Sequence, residues 1–389
     1  MRVVVVGAGT GGLALAAGLQ HRGHEVVVLE RASALRTGGA AVTLWSNGTA
    51  ALQALADVDP TPHGRVLTGL ETRTPQGRRV MRVDVASLSA RLGSPTACVP
   101  RDRLVMLLAG LLPDGTIRFG HQVTGVETGA GSDGARVLLA DGRQYSAELV
   151  VGADGSGSAL RGALLPEVTP QPTGWTSWQG LTRVLPDVAA RSTALGVLGP
   201  QGYVGLIPAG DGLLQWWFDV PDRPTSDGSA LAALRARFAS WPGPVAELLR
   251  TLDDETLTPW EHLSQPVART WGRGAVTLLG DAAHTMPPSL SQGVNSTLQD
   301  AALLTRSLDA VSAGRPLAPV LRHYEATRAR QVRPVARLAA SESSITYRRS
   351  STAAMRLMPD ALAGAVYGQL IRRSSPALST ARRPPTAPR

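Results

Sequence analysis

The 389-residue chain predicts an α/β protein: a parallel-sheet dinucleotide-binding fold, an inserted mixed or antiparallel β-sheet domain, and C-terminal helices. Two observations carry this. The opening "MRVVVVGAGTGGLALAAGLQHRGHEVVVLER" joins a β-branched strand, a glycine-rich turn, an Ala/Leu-rich helix and a second strand. A second buried-strand signal, "AVTLLGDAAH", returns roughly 270 residues later, so another domain lies between the first and last elements of the fold.

Each element follows from its residues. Val3 to Val6 form an apolar run suited to a strand buried on both faces. Gly7 permits the turn, Gly9 lets the backbone approach a pyrophosphate, and Gly12 lets helix and strand pack closely. The helix beginning at Thr10 then offers unpaired N–H groups to phosphate. Glu30, followed by Arg31, closes the second strand where a carboxylate accepts hydrogen bonds from an adenosine ribose. This unit alone does not choose between NAD and FAD. The stretch "RTGGAAVTLWSNGTAALQALA" reads as irregular. Arg101 opens an apolar-periodic helix to about Leu112, and "ADG" at 140–142 marks a hairpin turn. Residues 171 to about 269 carry most of the tryptophans, the strand-like runs "GYVGLIPAG" and "LLQWWFDVP", and one helix, "ALAALRARFASW". Helices are expected from about Gly293 to Leu308 and around "VLRHYEATRARQVRPVARLAASES". The expected division is 1–70, 97–170 and 270–340 for a discontinuous nucleotide-binding domain, and 71–96 with 171–269 for the β-sheet domain. C-terminal helices at 341–375 and a basic, Pro-rich disordered tail at 376–389 complete it.

Composition excludes several functions. Hydrophobic residues make up 43% and charged ones 18%, which fits a packed core rather than disorder. The net charge of +9 is carried by arginine alone, for none of the 39 basic residues is lysine. A pyridoxal Schiff base, a P-loop lysine and a lysine nucleophile are therefore out. The arginines are scattered without a nucleic-acid-binding motif, so no nucleic-acid partner is expected. Cys98, the single cysteine, rules out an internal disulfide and reads as a small buried side chain; no metal site is expected. With no secretory signal and no apolar run of bilayer length, a cytoplasmic protein without a membrane span is expected. The segment "AAMRLMPDALAGAVYGQLIRR" has some character of a membrane-surface helix. Because Pro359 and Gly364 interrupt its apolar face, packing against the body is the expectation.

Three further stretches choose the cofactor: "VPRDRL" with Arg101, "ADGSGSALR" with Asp154 and Arg161, and "LLGDAAHTMPPSLSQGVNSTLQDA". In this order and spacing they resemble the class A flavoprotein monooxygenases of aromatic-hydroxylase type, over roughly residues 1–340. The resemblance implies a glutathione-reductase-type domain holding FAD non-covalently, with NADPH or NADH as a transient co-substrate and O2 as oxidant. It implies cofactor contacts at Gly7, Gly9, Thr10, Gly12, Glu30, Arg31, Arg101, Asp154, Arg161, Asp281, Pro288, Gln292, Gly293, Val294 and Asn295. Asp281 would meet the ribitol, Pro288 would lie beside the edge where oxygen adds, and the helix after Gly293 would point its positive end at the flavin pyrimidine. Ser291 departs from the glycine usual there; His284 and the "YEATR" at 324–328 are read as loop support and helix packing.

The implied reaction is hydroxylation of a small aromatic or heteroaromatic substrate through a flavin C4a-hydroperoxide. Trp45, Trp175, Trp178, Trp216 and Trp217 are candidates for an apolar substrate wall, although Trp216 and Trp217 must face opposite sides of one strand. The segments "GGAAVTLWSNG", "ARLGSPTACVPRDRL" and "LIPAGDGLLQWWFDVP" are similar to the urate-hydroxylase branch. That branch's substrate-handling arginine and tyrosine fall on Tyr203 and Gln215, which become candidate pocket residues for a substrate other than urate. An epoxidase or Baeyer–Villiger-type oxygenase stays open on the same motifs. So does an FAD-binding sensor or interaction protein, should Ser291 block the oxygen site.

Overall fold

The computed structural model describes residues 1–129, 134–221, 229–241, 243–255, 257–345, 355–375 and 377–378. The expected disordered tail thus lies almost wholly outside the described residues. A five-stranded parallel sheet is ordered Val276–Leu278, Leu149–Gly152, Arg2–Val6, Glu25–Leu29, Ile117–Arg118. Its central strand is covered on both sides, which is why Val3 and Val5 have no exposure and Val4 only 2%. The helix Thr10–His21 packs beside Gly293–Ser312, placing the late motif against the opening one. Gly12 is explained by space: a Cβ there would fall 1.9 Å from the Gly7 carbonyl oxygen.

The stretch read as irregular contains a strand, Ala41–Leu44, and a helix, Ser46–Ala56. Gly48 misled the reading because glycine disfavours helix interiors. It stands in the first turn of this helix because a Cβ would come within 2.1 Å of Asn295 Oδ1. Packing overrode propensity. The helix from Arg101 ends at Ala109 rather than near Leu112, Gly293–Ser312 runs past Leu308, and Leu317–Ile345 continues through Pro334.

A seven-stranded sheet forms the second layer, in the order Pro259–Ser264, Gln171–Thr182, Leu213–Pro221, Gly202–Gly210, Thr193–Gly199, Gly69–Arg73, Arg79–Asp84. Pairing is antiparallel except between Thr193–Gly199 and Gly69–Arg73. Strand alternation divides the tryptophans. On the outer face Trp178 and Trp216 pack with Leu214, Phe218 and the helices Ala230–Arg237 and Pro244–Thr251, so these two expected substrate contacts are core residues. On the inner face lie Tyr203, Gln215, Trp217 and Asp219, in register across neighbouring strands. Trp217 lies flat across Gly205, where a Cβ would be 2.1 Å from the indole. This face is closed by Cys98, Trp45 and the C-terminal helix Asp360–Arg373, whose Ala363, Tyr367 and Ile371 join the same apolar cluster.

Candidate active site

A cavity of about 480 Å³ opens where the parallel sheet, the glycine turn and the start of Gly293–Ser312 meet. That is within the usual range for small-molecule and cofactor sites. The glycine turn lines one end through Gly7, Gly9 and Thr10, and a Cβ on Gly9 would meet nothing within 4 Å, so its backbone is open to a ligand. Glu30 lines the same end. Its two oxygens accept from the Ala8 and Ala32 backbone N–H groups at 2.8 and 2.9 Å, which fixes the carboxylate beside the turn. Arg31 also lines the cavity.

Arg36 and Arg101 bring two guanidinium groups to the cavity. Burial pushes the Arg101 group below the ordinary arginine range and the nearby Arg36 adds to this, while Asp281 opposes it. Two neighbouring cations are suited to a diphosphate. Asp154 lines the cavity and accepts from the Ala159 N–H at 2.8 Å through Oδ2, whereas its buried Oδ1 has no hydrogen-bond partner. Asp281 follows Gly280 (φ 60°) at the end of the strand Val276–Leu278; burial pushes its carboxyl upward against the pull of His284 and Arg101. A deep groove with an open glycine backbone, two cations and an unpartnered carboxylate oxygen fits FAD.

Other expected contacts are placed differently. Arg161 does not line the cavity. Its guanidinium donates to the Val168, Asp281 and Ala282 carbonyls at 3.2, 3.4 and 3.4 Å, so it braces the loops on which Asp154 and Asp281 stand. Gly12 is consumed by helix–strand packing. Asn295 accepts from the Trp45 N–H at 2.9 Å and donates to the Thr43 and Ser291 carbonyls at 2.9 and 2.6 Å, leaving its side chain fully engaged. The Gln292 side-chain carboxamide oxygen accepts from the Asn47 amide at 3.0 Å. Of the late motif, Leu279, Gly280, Asp281, Val294 and Thr297 line the cavity, while Pro288 lies in the turn Pro288–Leu290 and Gly293 begins the helix. Sequence reasoning missed Arg36, His121, Gln122 and Thr297. Only Thr297 left a signal, one helical turn beyond Gly293.

Beneath the loop lies a network with no exposure, in which Asp300 accepts from His284 Nε2 at 2.6 Å, Arg328 Nε at 2.6 Å and the Gly280 N–H at 2.8 Å. The "YEATR" segment does more than pack helices. Tyr324 donates to the Leu278 carbonyl at 3.2 Å, and Glu325 accepts from Thr277 and the Trp271 N–H at 2.7 and 3.0 Å.

On the inner sheet face, the Cys98 thiol donates to the Gln215 side-chain carboxamide oxygen at 3.4 Å, and Tyr203 and Trp217 approach with ring centroids 5.9 Å apart. Trp45 stacks obliquely on Tyr367 at 5.4 Å, with its buried indole N–H unpartnered.

Comparison with known proteins agrees with this geometry. Residues 1–339 match a family described as FAD binding domain. The chain is 33% identical over 331 residues to an aurachin C monooxygenase/isomerase of Stigmatella aurantiaca, covering 84% of this chain and 85% of the relative. It is also 33% identical over 359 residues to an FAD-dependent urate hydroxylase of Klebsiella pneumoniae subsp. pneumoniae, covering 89% and 91%. The crystal structure of Klebsiella pneumoniae HpxO complexed with FAD and uric acid superposes with a TM-score of 0.89 at 29% identity, covering 97% of both chains. The glycine turn, the late Gly-Asp loop and the sheet facing them are thus those of a flavoprotein, and the chain belongs to the FAD-binding-domain family, among the class A flavoprotein monooxygenases of aromatic-hydroxylase type.

Proposed function

We propose that the chain uses FAD, NAD(P)H and O2 to hydroxylate a small aromatic or heteroaromatic compound held between the inner face of the seven-stranded sheet and the loop at 285–292. The observation that carries this reading is the link through Asn295. Its helix borders the cofactor cavity, and its carboxamide holds the Trp45 backbone at the edge of the inner sheet face. One cavity and one sheet face meet there, as catalysis between a flavin and a flat substrate requires.

When bound and reduced, FAD supplies the activation of oxygen. The chain's own residues position and exclude. Glu30, Arg36, Arg101, Asp154 and Asp281 would hold the cofactor by ribose, phosphate and ribitol. Arg161, Asn295 and the Asp300 network keep the two loops in place, so that little reorganisation accompanies reaction. Tyr203, Gln215, Trp217 and Trp45 would form the substrate wall. Residues 71–96 and 171–269 then serve as the substrate half and 1–70, 97–170 and 270–340 as the cofactor half, in a cytoplasmic enzyme. Gln215 and Tyr203, standing where the urate-hydroxylase branch carries a tyrosine and an arginine, favour a substrate other than urate.

The test is anaerobic mixing of the FAD-loaded protein with NADPH or NADH, following flavin bleaching with phenols, purines and quinolones. A compound that speeds bleaching many-fold and gains one oxygen atom in air supports the reading. Rapid bleaching that no compound stimulates, with oxygen consumed but no oxygenated product, would replace it with an oxidase.

A further inference from the structure

The C-terminal helix Asp360–Arg373 has two unlike faces. Inward, Ala363 and Ile371 are buried and Tyr367 rests on Trp45. Outward, Leu362 and Val366 are 52% and 51% exposed, and Leu357, just before the helix, is 85% exposed. Three of the nine large hydrophobic side chains exposed among the described residues thus stand within ten positions of one another, a cluster rather than the usual scatter. No charged residue interrupts 361–371.

Charge surrounds this strip instead. Arg356, Arg372 and Arg373 are exposed at its two ends. On the elements against which the helix packs, exposed Arg79 lies 3.6 Å from Asp360, and the Arg91 guanidinium lies 3.9 Å from where a Cβ on Gly364 would stand. Asp84 and Asp360 are the nearby carboxylates, so cations predominate.

We propose that this face docks on an anionic phospholipid bilayer, with Leu357, Leu362 and Val366 entering the acyl boundary and the exposed Arg356, Arg372 and Arg373 at its ends meeting headgroup phosphates. A helix held by one face, with an apolar strip and basic ends on the other, is suited to lie in the interface plane. Guanidinium forks match phosphate oxygens in pairs. No described helix is long and apolar enough to cross a membrane, so the contact is peripheral. A protein partner fits less well, because a strip a few side chains wide falls far short of the roughly 800 Å² per partner of a stable interface. Through Tyr367 and Trp45, docking turns the proposed substrate side towards the lipid. The inference does not depend on the oxygenation chemistry.

The experiment floats the full-length, FAD-loaded protein with vesicles of phosphatidylcholine alone or mixed with phosphatidylglycerol. Binding is expected on the mixed vesicles, roughly tenfold weaker on the neutral ones and falling as salt rises. Leu362→Glu with Val366→Glu should cut binding by roughly tenfold or more while flavin absorbance stays intact. If that variant loses its flavin, the milder Leu362→Ser with Val366→Ser takes its place. Arg372→Gln with Arg373→Gln should weaken binding to mixed vesicles only. The proposal is overturned if the wild-type protein fails to float with mixed vesicles, or if the apolar-strip variants float equally well. It is also overturned if the variants instead abolish lipid-free self-association, which would assign the face to a second copy of the chain.

Discussion

Arg328 and Asp300, each without solvent exposure, meet at 2.6 Å beneath the loop that carries Asp281. The second Asp300 oxygen holds the Gly280 N–H and His284, so one buried charge pair sets the course of the loop. Breaking such a pair leaves an uncompensated charge in the core. Arg328→Met should therefore destabilise the protein by about 3–5 kcal/mol. It should also lower FAD occupancy, because Gly280 and Asp281 lose their anchor. Urea unfolding with flavin content of the purified variant checks both; a loss below about 1 kcal/mol would mean that water reaches the pair.

The same pair makes stability depend on acid. Burial pushes the Asp300 carboxyl up, but His284 and Arg328 outweigh it and hold it below the ordinary range. A carboxyl lowered in the folded state stabilises fully above its unfolded value near pH ~4, and the contribution disappears as pH falls through the folded value. Asp281 and Glu325 are pushed the other way by burial, so the wild-type curve alone does not isolate Asp300. The stability difference between wild type and Asp300→Asn should be large at neutral pH and shrink steadily below pH ~4. A difference that stays constant into acid would show that Asp300 acts without its charge.

The sequence made the parallel sheet and its glycine turn legible because valine runs and G-x-G-x-x-G constrain the backbone locally. It also showed that Trp216 and Trp217 must diverge. Which of them faces inward was not legible, since that depends on the helices Ala230–Arg237 and Pro244–Thr251 covering the outer face. Arg161 and Asn295 share a cause. Motif residues tell that a loop is built to pattern, but not whether a side chain touches the ligand or braces the loop. The helix at Ser46–Ala56 was hidden by Gly48, whose reason lies 247 positions away in Asn295.

Ser291 offers a stabilising change. It occupies the left-handed region at φ 51° and ψ 32°, two positions before the helix Gly293–Ser312 that borders the cavity. A non-glycine residue there costs roughly 1–2 kcal/mol, part of which glycine returns through greater freedom when unfolded. Ser291→Gly should raise stability by about 0.5–1 kcal/mol, read from thermal or urea unfolding. Unchanged or lower stability would show that the serine makes up for its own strain.

Cys98 should be chemically silent in the folded protein. It has no exposure, and burial pushes its thiol up to about 12 despite a bond with the Thr43 side chain. Only the thiolate is an effective nucleophile. A disulfide reagent at pH ~8 should leave the native protein untouched and consume one equivalent in denaturant. Native labelling at the unfolded rate would mean that the strand Ala97–Pro100 opens readily from the sheet it joins.

Glu30 gives the most direct test of the cofactor site, because two backbone N–H groups already hold its carboxylate beside the turn at Gly7 to Gly12. A ribose hydroxyl donating to an oxygen fixed in this way forms a charged-acceptor bond, worth about 1.5–3 kcal/mol. Glu30→Ala should weaken FAD binding by roughly tenfold to a hundredfold, measured by fluorescence titration of apoprotein. The variant also loses the two bonds that order the turn, so Glu30→Gln is the necessary companion. It keeps one acceptor oxygen but not the charge, and should fall between the wild type and alanine. If both variants bind FAD as tightly as the wild type, the adenosine end of the cofactor does not rest on Glu30, and Arg31, which lines the same end of the cavity, becomes the residue to replace next.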